Sequence, residues 1–143
     1  MIHNADQSSL KGVFMPPTVT AIHHVTLYIP REAQAAAERF YGEVLGLPRI
    51  PRPPAFGGEA TGAWYELGGV QIHLSLQSRP EDANPGSLRH VCYMVANLAE
   101  AEAALRAAGA EIVPDPVPFD QWTRFYTRDP GGNYIEIASM QRA

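Results

Sequence analysis

The sequence predicts an α+β domain of two tandem βαβββ modules, forming a mixed, half-barrel-like sheet with helices on its outer face. Three observations predict it. Short runs alternate apolar and polar residues with the period of a half-buried strand, and two longer runs repeat apolar residues at helical spacing. The order strand, helix, strand, strand, strand occurs twice. The two occurrences also align: His24–Val25 recurs as His90–Val91, 66 residues on, while ELGGVQIHLS at 66–75 lies on DPGGNYIEIA at 129–138 with an offset of 63. Gly68–Gly69 then falls on Gly131–Gly132, Ile72 on Ile135 and His73 on Glu136. The three-residue slip lies between helix and hairpin, where insertions are tolerated. An internal duplication of this kind decides architecture before any single residue does.

Residues 1–19 read as a flexible lead-in, with Met15 an alternative start, and 20–140 as one domain with modules at about 20–78 and 87–140. IHHVTLYI is β-branched and aromatic-rich, ends at Pro30 and predicts a strand. In REAQAAAERFYGEVLGL, residues Ala33, Ala36, Ala37, Phe40, Tyr41 and Val44 recur at helical spacing, and the helix should stop near Gly46. PRIPRPPAFGGEATG is loop with a short strand at Arg49–Ile50, and Arg49 and Arg52 are candidates for a mobile lid. AWYELGGVQIHLSL reads as a hairpin turning at LGG. After the linker QSRPEDANPGS comes the strand RHVCYMV. The helix NLAEAEAALRAAG follows, with Asn97 as N-cap and Gly109 as stop. AEIV predicts a short strand, PDPVPFDQW a loop, and TRFYTRDPGGNYIEIASM a closing hairpin around DPGGN.

Bulk properties narrow the function. The chain is 45% apolar and 18% charged, as globular domains are, and its net charge of −4 without a basic cluster argues against nucleic acid. No apolar run reaches the roughly 20 residues of a membrane helix. The N-terminus lacks the charged and apolar regions of a secretory signal. The single cysteine, Cys92, rules out an internal disulfide and fits a reducing cytoplasm.

Alternation then sorts residues by face. The apolar sets are Val25, Leu27 and Ile29; Val70, Ile72, Leu74 and Leu76; Val91, Tyr93 and Val95; and Ile135 and Ile137. The opposite faces carry His24, His73, His90 and Glu136, one on each of four strands at duplicate-equivalent positions. Adjacent strand residues point oppositely, so His24 is the inward histidine and His23 belongs at the strand edge. Three imidazoles and a carboxylate on one concave surface suit one divalent transition metal, whether Fe, Mn, Ni, Co or Zn.

At these residues the chain resembles the vicinal oxygen chelate superfamily of glyoxalases, fosfomycin- and bleomycin-resistance proteins, methylmalonyl-CoA epimerase and extradiol dioxygenases. The matching stretches are HHVTLYI…AERFYGEVLGL, WYELGGVQIHLSL, RHVCYMV and FYTRDPGGNYIEI, which run over about residues 20–140. The resemblance implies that His24, His90 and Glu136 match the His, His, Glu ligands of manganese-dependent fosfomycin enzymes, and in kind the iron triad of extradiol dioxygenases. His73 stands where glyoxalase I has a metal-bound glutamate and the epimerase a glutamine. That departs from the glyoxalase I pattern and leaves Glu136 as the carboxylate base. The loop PFDQWTR likewise departs from the potassium-binding loop of the fosfomycin enzymes.

The expected activity is that of a metal-dependent lyase or isomerase, or an extradiol-type dioxygenase, acting on a small molecule that chelates the metal through vicinal oxygens. The alternative is a non-catalytic, drug-sequestering protein of the bleomycin-resistance type, which has no need of the ligand set. His73 either ligates the metal or serves as acid or base near neutral pH. Tyr126, ten residues before Glu136, should face it across the last hairpin as a further catalytic candidate. Thr26 is a candidate substrate contact or a plain strand residue; Arg124 is an anion-binding candidate or a solvated strand-edge charge. Trp64 and Trp122 are candidate pocket residues, with Trp64 expected in the core under the first helix. Cys92 is expected as a small buried hydrophobe. Small relatives of the superfamily are usually homodimers, which would pair His24 and His73 of one subunit with His90 and Glu136 of the other.

Overall fold

The computed structural model describes residues 17–79, 85–117 and 121–140. Most of the expected lead-in, the choice between Met1 and Met15, the middle of the inter-module linker and the centre of the loop before the last hairpin lie outside the described residues. The first module contains β1 (His24–Ile29), helix α1 (Gln34–Arg39), β2 (Arg49–Ile50), β3 (Gly62–Leu67) and β4 (Val70–Leu76). The second contains β5 (His90–Met94), α2 (Leu98–Ala107), β6 (Val113–Pro114), β7 (Thr123–Arg128) and β8 (Tyr134–Ser139). Each module is a four-stranded mixed sheet, ordered β1-β4-β3-β2 and β5-β8-β7-β6. The expected α+β architecture of tandem βαβββ units is present. Its strands form two sheets, not one, and neither closes into a barrel.

The duplicated register is visible strand by strand. β1 runs parallel to β4 with Thr26 beside His73, and β5 runs parallel to β8 with Cys92 beside Glu136. The first hairpin turns through Gly68–Gly69, both at positive φ, as a two-residue turn between right-twisted strands requires. The second spans the five residues between Arg128 and Tyr134. Helix α1 starts from a 3-10 turn at Arg31–Ala33 and leaves through a π-turn at Phe40–Val44, closed by Leu45 N–H donating to the Phe40 carbonyl. The wider turn lets Phe40 and Tyr41, adjacent in sequence, both enter the core. Asn97 caps α2 by accepting from Glu100 N–H at 3.1 Å. The short strand expected over AEIV lies at Val113–Pro114 instead, where Val113 pairs Tyr126 and Pro114 pairs Phe125. Residues 110–112 instead approach the core through Ala110 and Ile112.

One buried cluster runs through both modules. It joins Ile29, Ala37, Phe40, Tyr41, Tyr65, Ile72 and Leu74 to Tyr93, Leu105, Phe125, Ile135 and Ile137. The modules are pinned by the DPGGN loop. Asp129, only 4% exposed, accepts from Gly131 N–H and Asn133 N–H through Oδ1, and from the Tyr41 hydroxyl (2.6 Å) and Asn133 Nδ2 through Oδ2. Asn133 Nδ2 also donates to the Tyr28 carbonyl on β1. Gly131 is required by contact: a Cβ there would lie 2.7 Å from Ile29 Cγ2. Burial, followed by the Asp129 charge, pushes the Tyr41 hydroxyl well above its ordinary pKa, so it stays a donor.

Tyr41→Phe removes one hydroxyl donor from a buried carboxylate and leaves the ring in place. We expect a loss of about 1–3 kcal/mol in denaturant unfolding; an unchanged midpoint would show that the Tyr41 hydroxyl contributes nothing to module docking.

Candidate functional site

The pleat places chemistry on one face of each sheet. In the first module, His24, Thr26, Tyr28, Trp64, Gln71, His73 and Ser75 line a cavity of about 490 Å³, completed by His23, Arg52 and Phe56. The opposite phase of the same strands supplies the core. His24 therefore faces inward as alternation requires. His23 precedes β1, escapes the strand's alternation and joins the cavity rim, its Nδ1 2.9 Å from that of His24. Trp64 is not core: it pairs His73 across β3–β4 and stacks on its ring at 3.8 Å between centroids. The strand's phase put Ala63 and Tyr65 inside instead.

His73 is sandwiched between Trp64 and His24, whose ring stacks on its other side at 4.4 Å. Its Nε2 lies 2.8 Å from Gln71 Oε1, which can only accept, so Nε2 carries the proton and Nδ1 the lone pair. Burial, then the neighbouring His24, His23 and Arg52, pull its pKa down to about 4. At neutral pH His73 is an uncharged ring able to ligate a metal or accept a proton. A ring nitrogen's lone pair lies in the ring plane and these two planes are only 14° from parallel, so joint ligation requires one ring to turn, and His24 is the more exposed of the two.

The second module carries the carboxylate. Glu136 is 5% exposed, and its Oε2 lies 3.0 Å from His90 Nε2. His90 Nδ1 donates to the Leu88 carbonyl at 2.8 Å. Both ring nitrogens thus face acceptors, with Nε2 turned toward the carboxylate. Arg124 donates to Glu136 Oε1 (3.3 Å), to Asp115 Oδ2 (3.0 Å) and to the Val117 carbonyl. It is therefore neither a solvated edge charge nor an open anion site. Tyr126 lies directly across from Glu136, as the hairpin spacing predicts, and stacks on Tyr134 at 5.0 Å. Burial, then Glu136, raise its hydroxyl pKa. Cys92 is exposed, not buried, and sits beside Glu136; desolvation of its sulfur and the Glu136 charge push the thiol to about 11. Trp122 immediately precedes β7 and is part-exposed.

The four expected ligands thus fall into two pairs, His24 with His73 and His90 with Glu136. No group of three or more His, Cys, Asp or Glu among the described residues is placed to hold one ion. Thr26 lines both the first cavity and a cleft of about 450 Å³ between β1 and β5. Arg49 and Arg52 form no loose lid. Arg49 pairs with Glu59 and Glu38, and Arg52 ties down residues 56–61 through Phe56, Gly58 and Thr61. Sequence reasoning gave no site role to Gln71 or Arg52. Gln71 shared the in-phase set with His73, which was the available signal; Arg52 lies in a loop with no periodicity.

His73 contributes a pH effect to folding. Its folded pKa of about 4 lies below the ordinary 6.5, so between these values the unfolded chain binds the extra proton and stability rises with pH. With chelator present, wild type should lose more stability than His73→Asn when urea unfolding is compared at about pH 7 and about pH 4.5. Equal losses would mean that His73 titrates normally.

Comparison with known proteins agrees with this fold. No curated protein matches the chain. Among solved structures, a glyoxalase family protein of Bacillus anthracis is 29% identical with a TM-score of 0.75, covering 89% of this chain and all of that one. A glyoxalase/dioxygenase of Nostoc punctiforme (22%, TM-score 0.72) covers 94% of this chain and all of that one. The fosfomycin resistance protein FosX of Listeria monocytogenes (12%, TM-score 0.70) covers 87% and 94% and shares the fold. The family model described as Glyoxalase/Bleomycin resistance protein/Dioxygenase superfamily matches residues 21–137, and the chain belongs to that superfamily.

Proposed function

We propose that this protein is a divalent-metal-dependent enzyme of the glyoxalase/dioxygenase type, acting on a small molecule that offers two neighbouring oxygens. The observation that carries the reading is the His90–Glu136 pair. A histidine whose Nδ1 is held by a backbone carbonyl, and whose Nε2 points at a buried carboxylate, is oriented as metal-bound histidines are. A cation held between Nε2 and the carboxylate would satisfy both groups. The neutral His73, its neighbour His24 and the absence of thiolate from the set suit a borderline metal such as Fe, Mn, Ni, Co or Zn. FosX, of the same fold, has been crystallised with Mn(II) and sulfate.

When bound, the metal would act as a Lewis acid toward negative charge developing on the substrate oxygens. The chain's own groups supply the rest. Arg124 and Asp115 hold Glu136 in place, Thr26 offers a hydroxyl between the two cavities, and Tyr126 offers a second beside Glu136. His73 accepts a proton at Nδ1 if it does not ligate. Each chain carries two incomplete halves, which supports a homodimer in which His24 and His73 of one copy meet His90 and Glu136 of the other.

Mixing tests this. His24→Ala/His73→Ala and His90→Ala/Glu136→Ala chains should each purify with little metal by elemental analysis. Refolded together, they should regain up to one metal per heterodimer, since one of its two sites is intact. No recovery on mixing would place all four ligands within one chain. A wild type that neither contains nor takes up metal would favour the drug-sequestering alternative.

A further inference from the structure

We infer that Arg52 is an anion-binding residue in the first-module cavity, and that the substrate carries an oxyanion group, a carboxylate or a phosphate-type group, beside its chelating oxygens. This rests on the reading above for the location of the site but not for the binding itself. Arg52 is only 9% exposed and lines the cavity with His24, His73 and Trp64. Its side chain bonds only through Nη1, to the Phe56 and Gly58 carbonyls and Thr61 Oγ1. These acceptors are neutral. Nε is buried without a partner, lying against Gly62, where a Cβ would come within 3.0 Å of it. Among the described residues Nη2 has no hydrogen-bond partner, and it is not among the buried atoms, so it is the open corner of the guanidinium.

No carboxylate lies within ion-pair distance of this guanidinium among the described residues. Glu59, the nearest acid in the loop, accepts from the Arg52 backbone N–H and pairs with Arg49. None of the cavity's ten lining residues is acidic. A buried cation without a counter-charge is unfavourable unless something else supplies the charge. A residue needed only to tie down carbonyls has no use for a permanent one. Nη2 alone carries two N–H donors and the guanidinium's charge is permanent, which suits an oxyanion. Arg124 and Arg49, by contrast, already face carboxylates.

The test is calorimetric titration of the full-length protein with inorganic phosphate and, separately, acetate, with and without added divalent metal. Phosphate or acetate should bind the chelated wild type, and the tighter of the two identifies the group. Arg52→Gln should weaken binding at least about ten-fold and Arg52→Lys by less, because the charge survives while the guanidinium's bonds to the loop do not. Thr61→Ala loosens the loop without touching the charge and should stay within about three-fold of wild type. Absence of binding by wild type, equal binding by Arg52→Gln, or an equal loss in Thr61→Ala would each overturn the inference. Because the chelated arm contains no metal, its outcome is independent of whether the metal reading holds.

Discussion

The arrangement of the molecule depends on one buried carboxylate. Asp129 sits in the loop between the last two strands and has more than one donor on each of its oxygens. Three of those donors fold its own loop, and the fourth, the Tyr41 hydroxyl, comes from the other module. Loop conformation and module docking are therefore a single condition. A buried carboxylate left short of donors is costly, so the loop cannot relax without loosening the joint. Gly131 adds a steric version of the same constraint by admitting Ile29 where any side chain would collide. The relative position of β1 and β5, and with it the cleft that Thr26 shares, follows from this contact.

On that frame the pleat divides labour without further instruction. One phase of each strand enters a continuous core, and the other presents imidazoles, carboxylate and aromatic rings. The duplicated modules have nonetheless diverged electrostatically. The second concentrates its charges into pairs, with Arg124 held between Asp115 and Glu136. Among the described residues the first has no acid on its cavity wall and a cation, Arg52, at its edge, so His73 is kept neutral by burial and by its neighbours. A neutral donor half and an anionic donor half are complementary, as a shared site would require.

Aromatic rings do the positioning that charges cannot. Trp64 and His24 clasp His73 from both faces, and Tyr134 backs Tyr126. Such contacts fix ring planes while leaving ring nitrogens and hydroxyls for chemistry. Gln71 and the Leu88 carbonyl then select which nitrogen carries the proton.

The sequence by itself determined the modules, the hairpins, the face on which His24, His73, His90 and Glu136 lie, and the pairing of Tyr126 with Glu136. Each of these is periodic or follows from a turn, and strand alternation and hairpin spacing are local properties of the chain. Tertiary structure decided the rest. His23 joined the cavity because the strand begins only after it, at His24. Trp64 faced the site because Ala63 and Tyr65 took the core positions beneath α1. Arg52 became a buried cation through the turns of its own loop, and Arg124 a paired one through partners in a separate loop and strand. The division of the ligands into two pairs depends on how the sheets dock, and docking depends on a contact between Tyr41 and Asp129, 88 residues apart. No local pattern encodes a meeting at that distance.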